Sequence, residues 1–453
     1  MANDPRETLN SAAMTRLQYL LVALTVALNA LDGFDVMAIS FASPGIAAEW
    51  KTTMAGLGII LSMELWGMAA GSIVLGGVAD SMGRRPTILG CLLMMALGML
   101  MVTTTNNVLV FSFWRFITGL GIGGMLAAIN AQAAEFSSNK SRPMAIAIMS
   151  AGYPIGGVIG GMVVTQMLKV YDWRSVFYFG TAVTTVMIPL IFFIMPESVH
   201  WLVRKRPAGA VEKINATMAR FGHGAIAVLP ELNGSEDRKN WLDIFSKSMV
   251  AITVIMTASY FLHIITFYYI LKWVPKLVVD MGFSPSSAGG VLTWASVGGA
   301  AGCLTFGFLT KHFDLKKLTL FMFVCSWLTT VLFGQTTNDL VVLSALVAIA
   351  GYFINSGIVG MYSLVAQVFP THVRASGTGF AIGVGRGGSV LSPIIAGIFL
   401  QDGMSLPVLS LIMGTGSILA FAALSQLKWG RGNASGGMKD EIKLVDGLSP
   451  PRA

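Results

Sequence analysis

Long apolar runs separated by short polar loops dominate this chain. Twelve of the runs can cross a hydrocarbon core, which takes about 20 helical residues at about 1.5 Å each. They lie near 17–41, 56–78, 86–105, 108–134, 143–167, 175–195, 249–273, 286–309, 317–335, 340–366, 375–400 and 405–427. A single long polar interval, 196–248, divides them six and six. The pattern predicts an all-α membrane protein of twelve helices in two six-helix halves, 17–195 and 249–427, with tails at 1–16 and 428–453. The first run is too long for a signal-peptide core and lacks a small-residue cleavage site after it, so it is expected to stay as a span.

Composition supports this reading. Charged residues make up 11% of the chain, against about 25% in a soluble domain. Apolar residues reach 54%, and the 51 glycines suit helices packed backbone to backbone. Cys91, Cys303 and Cys325 sit in apolar stretches, so free thiols are expected. A net charge of +8 would fit nucleic acid if it were clustered, but it follows the loops instead. Of the 30 Lys and Arg residues, 23 fall on the side that holds both tails and the 196–248 loop. Lys51, Lys169, Arg174, Lys272 and Lys276 are assigned to the opposite loops, and Arg115 and Arg386 lie inside spans. This bias predicts cytoplasmic tails in a cytoplasmic membrane, with the bilayer rather than nucleic acid as the partner of the positive charge.

The halves echo one another. Glu135 and Arg142 bracket the loop after span four, and Gln367 and Arg374, 232 positions on, bracket the loop after span ten. Gly156 maps to Gly388 by the same shift, and the loop Gly76 to Arg85 has a degenerate counterpart from Phe306 to Lys317. Parallel six-span halves are a transporter design in which the solute sits between them near the midplane.

The loop after span two reads Gly76-Gly77-Val78-Ala79-Asp80-Ser81-Met82-Gly83-Arg84-Arg85. A carboxylate at a helix end with two arginines four and five residues on can form a charged latch. The stretch resembles the G-x-x-x-D-x-x-G-R-R signature of the major facilitator superfamily, and the resemblance at that level covers essentially the whole chain. It implies that Gly76, Asp80, Gly83, Arg84 and Arg85 form a conformational latch, to which Arg142 and Arg374 are added from the two related loops. Arg115-Phe116-Ile117-Thr118-Gly119 is similar to the arginine motif of that superfamily's fourth span. An arginine inside a span must be paired or hydrated; structural pairing and proton coupling are both open for Arg115.

Span one carries Leu31-Asp32-Gly33-Phe34-Asp35. Three residues apart, the two carboxylates share a helix face. Carboxylates this close repel when both are ionised, so the pair suits a site that gains and loses a proton. Asp35 could instead sit solvated at the outer interface. The D-G-F-D sequence, with Trp273-Val274-Pro275 closing span seven, resembles the aromatic acid:proton symporter family of the same superfamily. That resemblance implies import of a small aromatic carboxylate with protons, with Asp32, Asp35, Arg115 and Glu135 in proton coupling.

Arg386 lies about 18 Å of helix beyond Arg374, near mid-bilayer, among Gly379, Gly383, Gly385, Gly387 and Gly388. Its guanidinium fork suits a carboxylate, either the substrate's or one from the first half. Tyr268 and Tyr269 belong to an aromatic cluster on span seven that could stack on a flat substrate or simply mark the membrane interface. His263 on that span could titrate, bond substrate, or be a satisfied structural histidine. Glu64 shares a face with Gly67 and Gly71 at a depth close to that of Arg115, so it is either a substrate contact or an ion-pair partner for Arg115.

Two further signatures are incomplete. Pro196-Glu197-Ser198 with Trp201-Leu202 resembles a sugar-porter sequence, but Gln426-Leu427-Lys428-Trp429 stands where its second copy belongs. Gly152-Tyr153-Pro154-Ile155-Gly156-Gly157 falls one residue short of a drug-antiporter motif. No phosphate loop, metal-ligand spacing or nucleophile–base arrangement is legible, so neither enzyme chemistry nor a cofactor is expected. The expectation is a secondary transporter, a monomer, taking up an aromatic carboxylate with protons by alternating access. Transport of another organic anion in either direction, or a non-transporting sensor on the same fold, are the alternatives.

Overall fold

The computed structural model describes residues 4–230, 244–246, 249–335, 339–369 and 373–427, and among the described residues the secondary structure is helical throughout. A short helix, α1 (Pro5–Ser11), precedes the spans. The first half holds α2 (Arg16–Trp50), α3 (Met54–Met82), α4 (Arg84–Thr103), α5 (Val108–Glu135), α6 (Arg142–Met167) and α7 (Arg174–Ile194). Between the halves lie α8 (Val199–Lys205) and α9 (Ala210–Arg220). The second half holds α10 (Val250–Asp280), α11 (Pro285–Leu309), α12 (Leu315–Gly334), α13 (Leu340–Val368), the broken span α14 (Arg374–Gly385) and α15 (Gly387–Gln401), and α16 (Leu406–Ser425). Twelve helical segments are long and apolar enough to cross a membrane, which makes this a multi-pass membrane protein.

Polar residues at the helix starts satisfy the first free N–H groups, and they recur in the two halves. Thr53 accepts from the Gly56 amide at 3.1 Å, and Ser284 accepts from the Ser287 amide at 3.1 Å, both pairs shifted by 231 positions. Asn107 accepts from the Leu109 amide at 2.8 Å, and Asp339 accepts from Val341 at 2.8 Å, shifted by 232.

The same repeat governs packing. A side chain at Gly67, Gly71 or Gly119 would strike the backbone of Phe116, Leu120 or Glu64, so α3 and α5 touch main chain to main chain. In the second half Gly298, Gly302 and Gly351 meet the backbone of Ala348, Tyr352 and Ala295, which joins α11 to α13 in the same register. Gly156 lies against the backbone of Ala30, and Gly388 against that of Phe261.

The halves meet most closely toward the face opposite the tails. There the Gln401 side chain accepts from the Ala55 amide at 3.2 Å, and Ser286 donates to the Thr165 carbonyl at 2.8 Å. Gly58 and Gly397 bring α3 against α15, and Gly161 of α6 faces Thr293 of α11.

Three boundaries differ from the sequence pattern in ways that bear on the site. Helix α2 runs through Pro44 to Trp50 rather than ending near Phe41. Helix α10 passes Lys272 and Pro275 and ends at Asp280, so Lys272 belongs to a span and not to an outer loop. Span eleven is interrupted at Arg386, where the Gly383-to-Gly388 stretch offers little side-chain bulk to hold one continuous helix.

Candidate functional site

Buried charge collects where α2, α3, α5 and α10 converge. Arg115 of α5 pairs with Glu64 of α3 at 2.5 Å, and both side chains are 0% exposed. Gly119, one turn from Arg115, lets α5 approach the Glu64 backbone, so glycine packing and the ion pair are parts of one contact. Arg115 also donates to the Asp35 main-chain carbonyl at 3.3 Å and lies 5.4 Å from the Phe177 ring centre. Glu64 Oε2 is shared: Lys272 of α10 reaches it at 3.4 Å, is itself 0% exposed, and donates to the Val36 carbonyl. Lys272 thereby joins the second half to the first.

Asp32 and Asp35 are 1% and 0% exposed, which places Asp35 inside the protein and not at a solvated interface. None of their four carboxylate oxygens has a hydrogen-bond partner in the structure. Gly33 between them seats α2 on the Tyr153 backbone of α6, where any side chain would collide. The glycine of D-G-F-D therefore fixes the depth and rotation at which the two acids are presented.

Arg386 stands at the break between α14 and α15, across the boundary from these acids. It donates to Ser72 Oγ of α3 at 2.7 Å, a neutral partner. Tyr153, Tyr260, Tyr268 and Tyr362 lie near enough to interact with it electrostatically, and Arg386 in turn acts on Asp32. The Tyr260 and Tyr362 hydroxyls are 3.2 Å apart. Beside the tyrosines, a cavity of about 20 Å³ lies between the halves against Met37, Tyr153, Phe267, Ser296, Ile354 and Asn355. It has room for about one water, whereas a cavity of roughly 150 Å³ holds a benzene ring.

Other residues singled out in the sequence lie elsewhere. Tyr269, one residue from Tyr268, turns about 100° away and meets Ser410 Oγ of α16 at 2.8 Å. His263 is fully buried inside the second half, 3.0 Å from both Ser417 Oγ and the Ile354 carbonyl. Glu135 lies at the tail face, 3.4 Å from Arg84 and far along α5 from Arg115. Tyr153, Tyr362, Ser72 and Lys272 are additions that the sequence reading did not select. A lysine one residue before Trp273 in an otherwise apolar run was the available signal for Lys272.

The tail face gathers the residues of the expected latch. Arg84 bonds Asp80 at 2.8 Å and the Ala79 carbonyl at 2.7 Å, while a side chain begun at Gly76 would meet only Ala127, at an ordinary contact distance of 3.7 Å. Gly83 has φ +110°, a conformation that favours glycine, and a side chain there would strike Glu197. Glu197 accepts from the Arg84 amide at 2.9 Å and the Arg85 amide at 3.3 Å, capping α4 from the linking segment. Burial pushes its carboxyl above the usual carboxylate range, although these amide bonds and Arg84 pull the other way. Trp201 donates to the Asp80 carbonyl at 3.1 Å, and Arg85 to that of Phe192 at 2.5 Å. Arg142 holds the Ala134 carbonyl at 2.9 Å and Asn10 at 2.5 Å, tying α1 to the loop after α5. The Arg374 side chain is outside the described residues.

Comparison with known proteins places this geometry in context. The Major Facilitator Superfamily model matches residues 25–333 and 256–434. The chain is 26% identical over 426 residues to the 4-hydroxybenzoate transporter PcaK of Pseudomonas aeruginosa, covering 93% of this chain and 95% of that protein. It is 25% identical over 422 residues to the gallate transporter of Pseudomonas putida, covering 93% of each. Identity to the 3-(3-hydroxy-phenyl)propionate transporter of Escherichia coli is 26% over 414 residues, 91% of this chain and 92% of that one. In structure it is similar to the inward-open xylose transporter XylE of Escherichia coli, with a TM-score of 0.71 at 15% identity over 90% of this chain and 96% of that one.

Proposed function

The chain belongs to the major facilitator superfamily, and on that premise we propose that it imports a small aromatic carboxylate together with protons by alternating access. The observation that carries this reading is Arg386. It is a half-buried guanidinium on the boundary between the halves, with a serine as its hydrogen-bond partner and with four tyrosines and Asp32 within electrostatic reach. A carboxylate is the ligand that such a fork accepts in two parallel bonds, and the tyrosine rings offer a surface for a flat substrate. The names of the relatives, transporters of hydroxybenzoate, gallate and hydroxyphenylpropionate, support the same class.

In this reading Asp32 and Asp35 exchange the protons. An anion entering against an inside-negative potential loses about 2.3 kcal/mol per 100 mV. One proton cancels that charge, and a second lets the potential drive uptake. Arg115 and Glu64 anchor the charge cluster, Tyr268 contacts the ring, and Tyr269 and His263 hold the second half together. Glu135 works in the latch with Asp80, Arg84, Arg85, Arg142 and Arg374. The Lys and Arg bias supports cytoplasmic tails in the inner membrane, and the close contact at the opposite face then corresponds to a carrier open toward the cytoplasm. The protein acts as a monomer.

Uptake of radiolabelled 4-hydroxybenzoate into membrane vesicles, with and without an uncoupler, tests the proposal. Accumulation that the uncoupler abolishes, and that benzoate and gallate compete for, is expected. Uptake of aliphatic acids alone would replace the substrate class.

A further inference from the structure

Lys272 has a property that the proton and substrate sites do not use. It is a buried cation on the second half, and both of its hydrogen-bond partners, Glu64 Oε2 and the Val36 carbonyl, come from the first half. Glu64 in turn serves two cations through the same oxygen, Arg115 of its own half at 2.5 Å and Lys272 of the other at 3.4 Å. A buried carboxylate stripped of its cations is costly, as is a buried ammonium without an anion. The geometry points to Glu64 as a carboxylate with one permanent and one removable partner. We infer that the Lys272–Glu64 contact is the charged strap that holds the halves together at the face opposite the tails, and that it releases when that face opens. On release Glu64 keeps Arg115, so the first half retains a neutral pair, while Lys272 swings out with the second half into the water that enters. The position of the cluster fits this task. Val36 lies one residue beyond Asp35, and the Pro393 carbonyl that accepts from Trp273, next to Lys272, lies on α15 where α15 packs against Gly58 of α3.

The inference rests on the alternating-access reading, and its test can fail separately from it. Thr293 of α11 is 7% exposed and faces Gly161 of α6 across the closed face. Thr293→Cys, in a chain whose Cys91, Cys303 and Cys325 are replaced by alanine, reports opening through labelling by a membrane-impermeant thiol reagent added to intact cells. Lys51→Cys, an exposed position on that face, is the topology control. If it fails to label, the orientation is wrong, and the same series is run on inverted vesicles. Glu64→Gln leaves Arg115 and Lys272 as two buried cations without their shared anion, and should raise labelling at position 293 about fivefold or more. Lys272→Met alone breaks the same contact from the other end and should raise labelling comparably, and adding it to Glu64→Gln should raise labelling no further, because the strap is already gone. If Glu64→Gln does not insert, Glu64→Asp, which withdraws the carboxylate by one methylene, is read with and without Lys272→Met in the same way. Labelling that stays at the parent level in either single variant, or that multiplies when the two changes are combined, would overturn the strap.

Discussion

The two halves share a skeleton and differ in chemistry. Thr53 and Ser284 cap equivalent helices, as do Asn107 and Asp339, and Gly67, Gly71 and Gly119 repeat as Gly298, Gly302 and Gly351 against the same backbone neighbours. Where the first half buries Glu64 and Arg115, however, the second has Ala295 and Val347 at the equivalent positions. Asp32 and Asp35 correspond to His263 and Thr266, and Arg386 corresponds to Pro154. Close glycine packing is therefore enough to build either half, and the charges in the first half serve another purpose. Acids lie on one side of the boundary, and Lys272 and Arg386 face them from the other. Three buried acids (Asp32, Asp35 and Glu64) and three cations (Arg115, Lys272 and Arg386) make a set that is neutral when all are ionised. A proton or a bound carboxylate changes that balance.

The widest break in this comparison comes from giving the first half the residues of the second. Glu64→Ala with Arg115→Val should still insert, because the glycine contacts remain, yet lose at least about 100-fold in transport rate. Removing Arg115 alone should be worse for stability, since Glu64 loses its closest partner and a broken buried pair costs about 3–5 kcal/mol. Expression level and thermal melting in detergent separate the two outcomes. Normal uptake by the double variant would reduce the pair to scaffolding.

Arg386 tests the other side of the boundary. Arg386→Lys keeps the charge and loses the fork, which should weaken substrate binding by about 1–3 kcal/mol, roughly five- to 150-fold in KM. Arg386→Gln should weaken it further. Recovery of uptake when Arg386→Gln is combined with Asp32→Asn would make Arg386 a structural partner of the acid.

The smallest effects distinguish neighbours on α10. Tyr268→Phe should raise KM several-fold, whereas Tyr269→Phe should leave KM within about twofold and lower stability by about 0.5–1.5 kcal/mol through the lost Ser410 bond. Equal KM values for the two would remove Tyr268 from the substrate surface.

These neighbours also show where the sequence stopped being informative. The number of spans, their order and the internal repeat follow from hydropathy and from residues such as Gly156 and Gly388, because a bilayer demands long apolar helices. The Glu64–Arg115 pair was legible as a match in depth. Helix rotation was not. A span that meets lipid on one side and apolar protein on the other has no polar stripe to orient it, so Tyr268 and Tyr269 looked alike, and His263 could not be assigned to the interior of its half. The end of α10 was misread for a related reason: Lys272 resembles a loop lysine until Glu64, 208 residues earlier in the chain, is seen to neutralise it.

The central claim is a division of labour: protons on the first-half acids, carboxylate on the second-half arginine. Proteoliposomes carrying an internal pH dye, challenged with 4-hydroxybenzoate while ligand binding is followed in the same preparation, test it most directly. The parent protein should acidify the lumen on addition of substrate. Asp32→Asn should still bind and exchange substrate with no proton movement, and Arg386→Gln should lose both through loss of binding. Proton movement that persists undiminished in Asp32→Asn, or substrate accumulation in the parent with no proton flux, would contradict the account.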